Sequence, residues 1–160
     1  MLKKSIAKTI LLVEDEALIA MNESALLRKH EYEVITVHNA PKAIEAVEKN
    51  SIDLILMDID LGYGKMGGPE AAQLILKAYD LPIVFLTSHA EKEYVDRVKK
   101  ITGYGYVLKN SGEFVLIESI NMASSLFEAN KRLKEENEER KKIEAALREE
   151  DAELTAIYEY

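Results

Sequence analysis

The chain has 160 residues, no cysteine and a formal net charge of −8. That length can bury one ordinary core and still carry an appendage. The acidic balance argues against a nucleic-acid or anionic-membrane footprint, and the lack of cysteine excludes disulfides, zinc–thiolate sites and thiol catalysis.

The N-terminal run MLKKSIAKTILLVEDE starts like a secretory leader, with lysines before apolar residues. Lys8 interrupts it, and Glu14, Asp15 and Glu16 end it before an apolar core accumulates. No segment reaches the length of a membrane span, so a cytoplasmic location is expected. Thr9–Val13 is a predicted strand, followed by a helix over 16–29 with Leu18, Ile19, Leu26 and Leu27 at helical spacing. A second strand is expected at Glu33–Val37. Next comes a helix over 41–48, with Asn39 as N-cap and Pro41 in its first turn. The third strand, 54–57, runs into Asp58 and Asp60 and then a glycine-rich loop, 62–68. A helix over 69–78, a strand at 83–86, a helix over 91–100 and a strand at 104–108 follow, and a last helix starts after Ser111 or Gly112.

Five apolar runs alternating with helices predict a doubly wound parallel α/β domain over residues 1–127. After Glu128 the sequence becomes mostly charged without glycine or proline, so 128–160 reads as a helical extension. The pairs Glu136/Arg140, Glu138/Lys142 and Glu144/Arg148 place the acid four residues before the base, the favourable order. Leu126, Leu133, Leu147 and Leu154 fall on a heptad broken by Arg140, with Ile143 and Ile157 in the other seam. This suits either a solvated helix or a partner-dependent coiled coil.

Chemistry in such sheets gathers at the carboxyl ends of the strands. Here those ends carry Glu14 and Asp15, Asp58, Thr87 and Lys109, with Asp60 two residues beyond Asp58. Clustered carboxylates resist joint ionisation without a cation, and a hard divalent ion, magnesium above all, resolves the conflict. A carboxylate beside such an ion, a lysine and a hydroxyl can act as nucleophile and form an acyl phosphate. Taken singly, the acidic pair also suits a helix N-terminus, Thr87 a cap and Lys109 a solvated surface.

The order of LLVEDE, LILMDIDL, IVFLTSHA and GYGYVLKN resembles the receiver domain of two-component response regulators over residues 9 to about 127. The resemblance implies a flavodoxin-like sheet of order 2-1-3-4-5 and phosphorylation of Asp58 by a histidine kinase or phosphotransfer protein. It implies magnesium bound by Asp15, Asp58 and the Asp60 main-chain carbonyl, with Glu14 acting through water. Thr87 and Lys109 would contact the phosphoryl group, and Tyr106 would change rotamer with Thr87. It also implies a signalling domain rather than an enzyme, with self-catalysed phosphorylation and dephosphorylation. A homodimer through 91–127 and the C-terminal helix is expected.

Two features depart from the family pattern. Asn110 stands where the family usually has proline, and with Glu113 it suits a capping box. The 62–68 loop is longer and richer in glycine than usual. His89, like Asp60, occupies a position that tunes phosphoryl lifetime in the family, although for His89 a plain surface histidine is the preferred reading. The final DAELTAIYEY is similar to the lead-in of PAS sensor modules, as in a larger sensor regulator or hybrid kinase.

Two other functions compete. Gly62-Tyr63-Gly64-Lys65-Met66-Gly67 fits the dinucleotide pattern G-x-G-x-x-G, yet it lies four residues beyond the third strand rather than directly after the first. Asp58-Ile59-Asp60 with Thr87 and Lys109 also imitates a haloacid-dehalogenase-type phosphatase, although the additional acids here lie upstream.

Overall fold

A computed structural model describes residues 6–62, 66–88 and 91–159 of the protein. Strands and helices alternate as β1 Thr9–Val13, α1 Ala17–Lys29, β2 Glu33–Val37, α2 Ala40–Lys49 and β3 Leu54–Asp58. They continue as α3 Gly68–Ala78, β4 Ile83–Thr87, α4 Lys92–Lys99, β5 Tyr106–Leu108 and α5 Glu113–Tyr158. All four pairings are parallel, in the order β2-β1-β3-β4-β5. The chain therefore winds outward in both directions from the β1–β3 pair. That reversal opens a crevice at the carboxyl ends of those two strands.

The strand pattern follows from which faces are covered. Ile10–Val13, β3 and β4 are buried on both faces, as their continuous apolar runs require. Alternate residues feed two cores. Leu11, Val13, Ile55, Met57, Ile83 and Phe85 pack against α2, α3 and Val98. Ile10, Leu12, Leu54, Leu56, Val84 and Leu86 meet Leu27 of α1 and Leu116, Ile117 and Ile120 of α5. Each fully buried leucine or isoleucine contributes about 1.5–3 kcal/mol of burial energy. Edge strand β2 is only half buried.

Local chemistry sets several element ends. The Asn39 side chain accepts from the Lys42 N–H at 2.9 Å, which fixes the start of α2 as an N-cap does. The last strand is shorter than its apolar run, because Gly105 at φ 105° turns the chain and Tyr104 N–H donates to Thr102 Oγ. No capping box starts α5. Gly112 is the residue before the first turn, and its carbonyl accepts from Leu116 N–H. Glu113 instead receives His30 Nε2 at 2.8 Å and Lys29 Nζ at 3.1 Å, both from the end of α1. The Lys109–Asn110 peptide is trans.

The chain divides into two compact units, Met1–Ser125 and Leu126–Tyr160. In the second, helical as far as Tyr158, Leu126, Leu133, Ile143, Leu147, Leu154 and Ile157 are all exposed. Among its described residues the ion pair shown is Arg140–Glu144, 3.9 Å apart, with the base first, rather than the acid-first pairs expected. Exposed pairs of this kind contribute little and exchange readily with water. No helix among the described residues is long and apolar enough to cross a membrane.

Candidate functional site

The crevice collects the residues expected from the strand ends. Glu14 follows β1 directly and is fully buried. Asp58 is the last residue of β3 and is 2% exposed, and Thr87, the last of β4, is equally enclosed. Lys109 follows β5, and its ammonium lies 2.7 Å from Glu14 Oε2 and 2.9 Å from Asp58 Oδ2. Glu14, half-buried Asp15 and Asp58 each bring a carboxylate oxygen to within 4.8 Å of one another.

Backbone contacts hold these side chains in place. The Asp60 N–H donates to Asp58 Oδ1 at 3.1 Å, which turns the chain sharply after β3. The Lys109 N–H donates to the Thr87 carbonyl at 2.9 Å and continues the β4–β5 ladder. On the other side, Glu14 N–H donates to the Val37 carbonyl at 3.1 Å, and His38 Nδ1 lies 2.8 Å from the Glu14 carbonyl oxygen. Since a carbonyl only accepts, that ring nitrogen carries the proton. Glu14 is therefore clasped at both of its main-chain groups by the end of β2.

Three acids around one base make an electrostatically tense site. Burial pushes the Asp58 carboxyl up to about 7, and the Glu14 charge adds to the rise while Lys109 opposes it. Burial would lower Lys109, but its hydrogen bonds to Glu14 and Asp58 prevail and hold it above the usual lysine range. One ammonium cannot neutralise three carboxylates. The donor set, all carboxylate oxygen, therefore suits a hard divalent cation.

Strand register separates the remaining expected residues. Leu108 lies opposite Thr87, and Tyr106 lies opposite Phe85. Tyr106 therefore shares a sheet face with Thr87, two residues along, and is 38% exposed. The Asp60 side chain is exposed. Tyr63, Gly64 and Lys65 of the glycine pattern, and His89, lie outside the described residues.

The described glycines account for part of that loop's composition. Gly62 has φ 70°, and a Cβ there would stand 3.0 Å from Asp15 Oδ2. At Gly68 a Cβ would collide with the Asp58 carbonyl oxygen. The first glycine lets the loop turn beside the acidic cluster, and the second lets α3 start directly against the end of β3.

Sequence reasoning overlooked two residues near the site. His38 gave no signal beyond a histidine at a strand end. Glu23 did: it sits four residues after Ile19 and four before Leu27, on the inner stripe of α1. Its Oε2 is buried without a hydrogen-bond partner. Burial, then the Glu14 charge, raises its carboxyl to about 7.

Residues 10–121 match the response regulator receiver domain family. The transcriptional regulatory protein PdtaR of Mycobacterium tuberculosis is 31% identical over 124 residues, covering 77% of this chain and 60% of that protein. The chain thus spans less than two thirds of that relative's length. Among solved structures, the N-terminal domain of a response regulator/sensory box/GGDEF 3-domain protein from Carboxydothermus hydrogenoformans is similar. It is 43% identical with a TM-score of 0.71, over 77% of this chain and 98% of that one. The signal receiver domain of a modulated diguanylate cyclase from Desulfovibrio desulfuricans G20 is 29% identical with a TM-score of 0.71, over 78% and 99%. Nothing in these matches supports the dehalogenase-type alternative. Sheet order, strand-end chemistry and sequence agree, and the chain belongs to the response regulator receiver domains of two-component systems.

Proposed function

We propose that Asp58 is the phosphoacceptor, and that it takes its phosphoryl group from the phosphohistidine of a histidine kinase or phosphotransfer protein. The observation that carries this reading is a buried carboxylate at the switch point of the sheet, ion-paired with Lys109 and adjoined by Glu14 and Asp15. An Asp58 oxygen attacks phosphorus, the P–N bond breaks, and the donor imidazole keeps the electron pair. Asp15, Asp58 and the Asp60 main-chain carbonyl would hold magnesium, with Glu14 contributing through water. When bound, that ion neutralises the oxygens of the transferring group.

The side chains supply the rest. Lys109 exchanges its bond to Asp58 for one to the phosphoryl oxygens, and Thr87 donates its hydroxyl to another. Drawing Thr87 inward leaves room on its sheet face, and Tyr106 turns to fill it. That rearrangement alters the surface of residues 91–127, through which, together with the 128–160 extension, a homodimer forms. Water attacking the phosphorus in the same site breaks the bond to the Asp58 oxygen, and the phosphoryl group leaves as inorganic phosphate. That returns the aspartate, so the domain limits its own signal, and it works in the cytoplasm. Labelling with acetyl phosphate and magnesium tests the assignment: the wild type gains one phosphoryl group and Asp58→Asn gains none. Equal labelling of both would overturn it.

A further inference from the structure

With Lys109 in its wall, a cavity of about 170 Å³ opens between α1, the end of β5 and the start of α5. Its walls include Leu26, Leu86, Val107 and Leu116, with Glu23, Lys109 and Glu113 as charged members, and Glu113 is already paired with Lys29 and His30. The Lys109 ammonium is already engaged by Glu14 and Asp58. Glu23 Oε2 is enclosed and accepts no hydrogen bond. An apolar chamber with one unanswered acceptor has a defined complement: a compact apolar body carrying a hydrogen-bond donor.

Charge narrows the class further. Lys109 is ion-paired with Glu14 and Asp58, so the acceptor at Glu23 Oε2 has no hydrogen-bonded counter-ion of its own. A cationic donor is favoured over a neutral one, because charge-assisted hydrogen bonds are about twice as strong. Size limits the body to a single ring or a short branched chain, since an apolar cavity of about 150 Å³ accommodates benzene.

We propose that this cavity is a binding site for a small ammonium-headed apolar compound, with the head on Glu23 and the body among Leu26, Leu86, Val107 and Leu116. Lys109 belongs both to this cavity and to the acidic cluster, so occupancy is felt at Asp58. That consequence rests on the phosphoacceptor reading, whereas the binding does not.

The test is an NMR titration of the unphosphorylated full chain with benzylammonium, using benzyl alcohol as the neutral analogue. Saturable shifts are expected at the amides of residues 22–26, 107–112 and 116, with a dissociation constant on the order of a millimolar. Benzyl alcohol is expected to bind about tenfold more weakly. Glu23→Leu, which fills the space with an apolar group, abolishes the shifts, and Glu23→Gln removes the preference for the cation. Linear, unsaturable shifts mean that the cavity holds only water, and they overturn the proposal. So do shifts that persist in Glu23→Leu, or equal affinity for the two probes. For the coupling, saturating benzylammonium changes the rate of Asp58 labelling by acetyl phosphate about fivefold or more. Equal rates overturn the coupling, and failure of Asp58 to label at all overturns the phosphoacceptor reading instead.

Discussion

Removing the Lys109 ammonium strands two buried carboxylates, so Lys109→Met is expected to destabilise the fold by about 3–5 kcal/mol. Urea denaturation near neutral pH checks this, and a loss under about 1 kcal/mol would show the acids to be paired by other means. Glu23 carries the opposite expectation. Its carboxyl titrates near 7 when folded against an ordinary 4.5, so the folded chain holds that proton more tightly than the unfolded chain. The stabilisation linked to this group is full below the unfolded value and is lost as pH climbs toward the folded one. Glu23→Leu should therefore stabilise the chain by on the order of 1 kcal/mol near pH 8 in magnesium-free buffer, and by much less near pH 4. A gain independent of pH would point to packing alone. At Gly68 even a methyl group overlaps the Asp58 carbonyl. Gly68→Ala should cost about 1–3 kcal/mol, measured as the fall in the urea midpoint, and slow the labelling of Asp58. An unchanged midpoint would mean that α3 shifts freely.

Single interactions also decide where elements begin. Asn39→Ala removes the bond to Lys42 N–H and should cost about 1 kcal/mol in thermal or urea unfolding, with the site chemistry unchanged. The cap and β1 to β4 were legible in the sequence because each rests on near-neighbour chemistry or an unbroken apolar run. Glu14, Asp15, Asp58, Thr87 and Lys109 were legible because a parallel sheet delivers all strand ends to one edge. Other features depend on contacts between distant parts of the chain. Glu113 looks like half of a capping box with Asn110 until α1 presents Lys29 and His30 to it. The 104–108 run reads as one strand until Gly105 takes a positive φ. The clasp of Glu14 by His38 joins residues 24 positions apart, and no local pattern announces it. Glu23 stood in plain view on an apolar stripe, but only the fold shows that no partner meets it.

For the molecule as a whole, one covalent change at the sheet edge has to reach surfaces some distance away. The means available are the face that Thr87 shares with Tyr106 and the chain continuity from β5 into α5. On the proposed reading, the exposed leucines and isoleucines of the second unit, from Leu126 to Ile157, are the seam that a second copy covers. Phosphorylation should raise the dimer population in sedimentation, and an unchanged monomer fraction in the fully labelled protein would contradict that route. All of this depends on Asp58 being the group that is modified. The most direct measurement is the intact mass of the protein and of Asp58→Asn after exposure to acetyl phosphate with and without magnesium. One added phosphoryl group is predicted on the wild type, dependent on magnesium and absent from the variant. A wild type that stays unmodified, or a variant labelled to the same extent, would contradict the account.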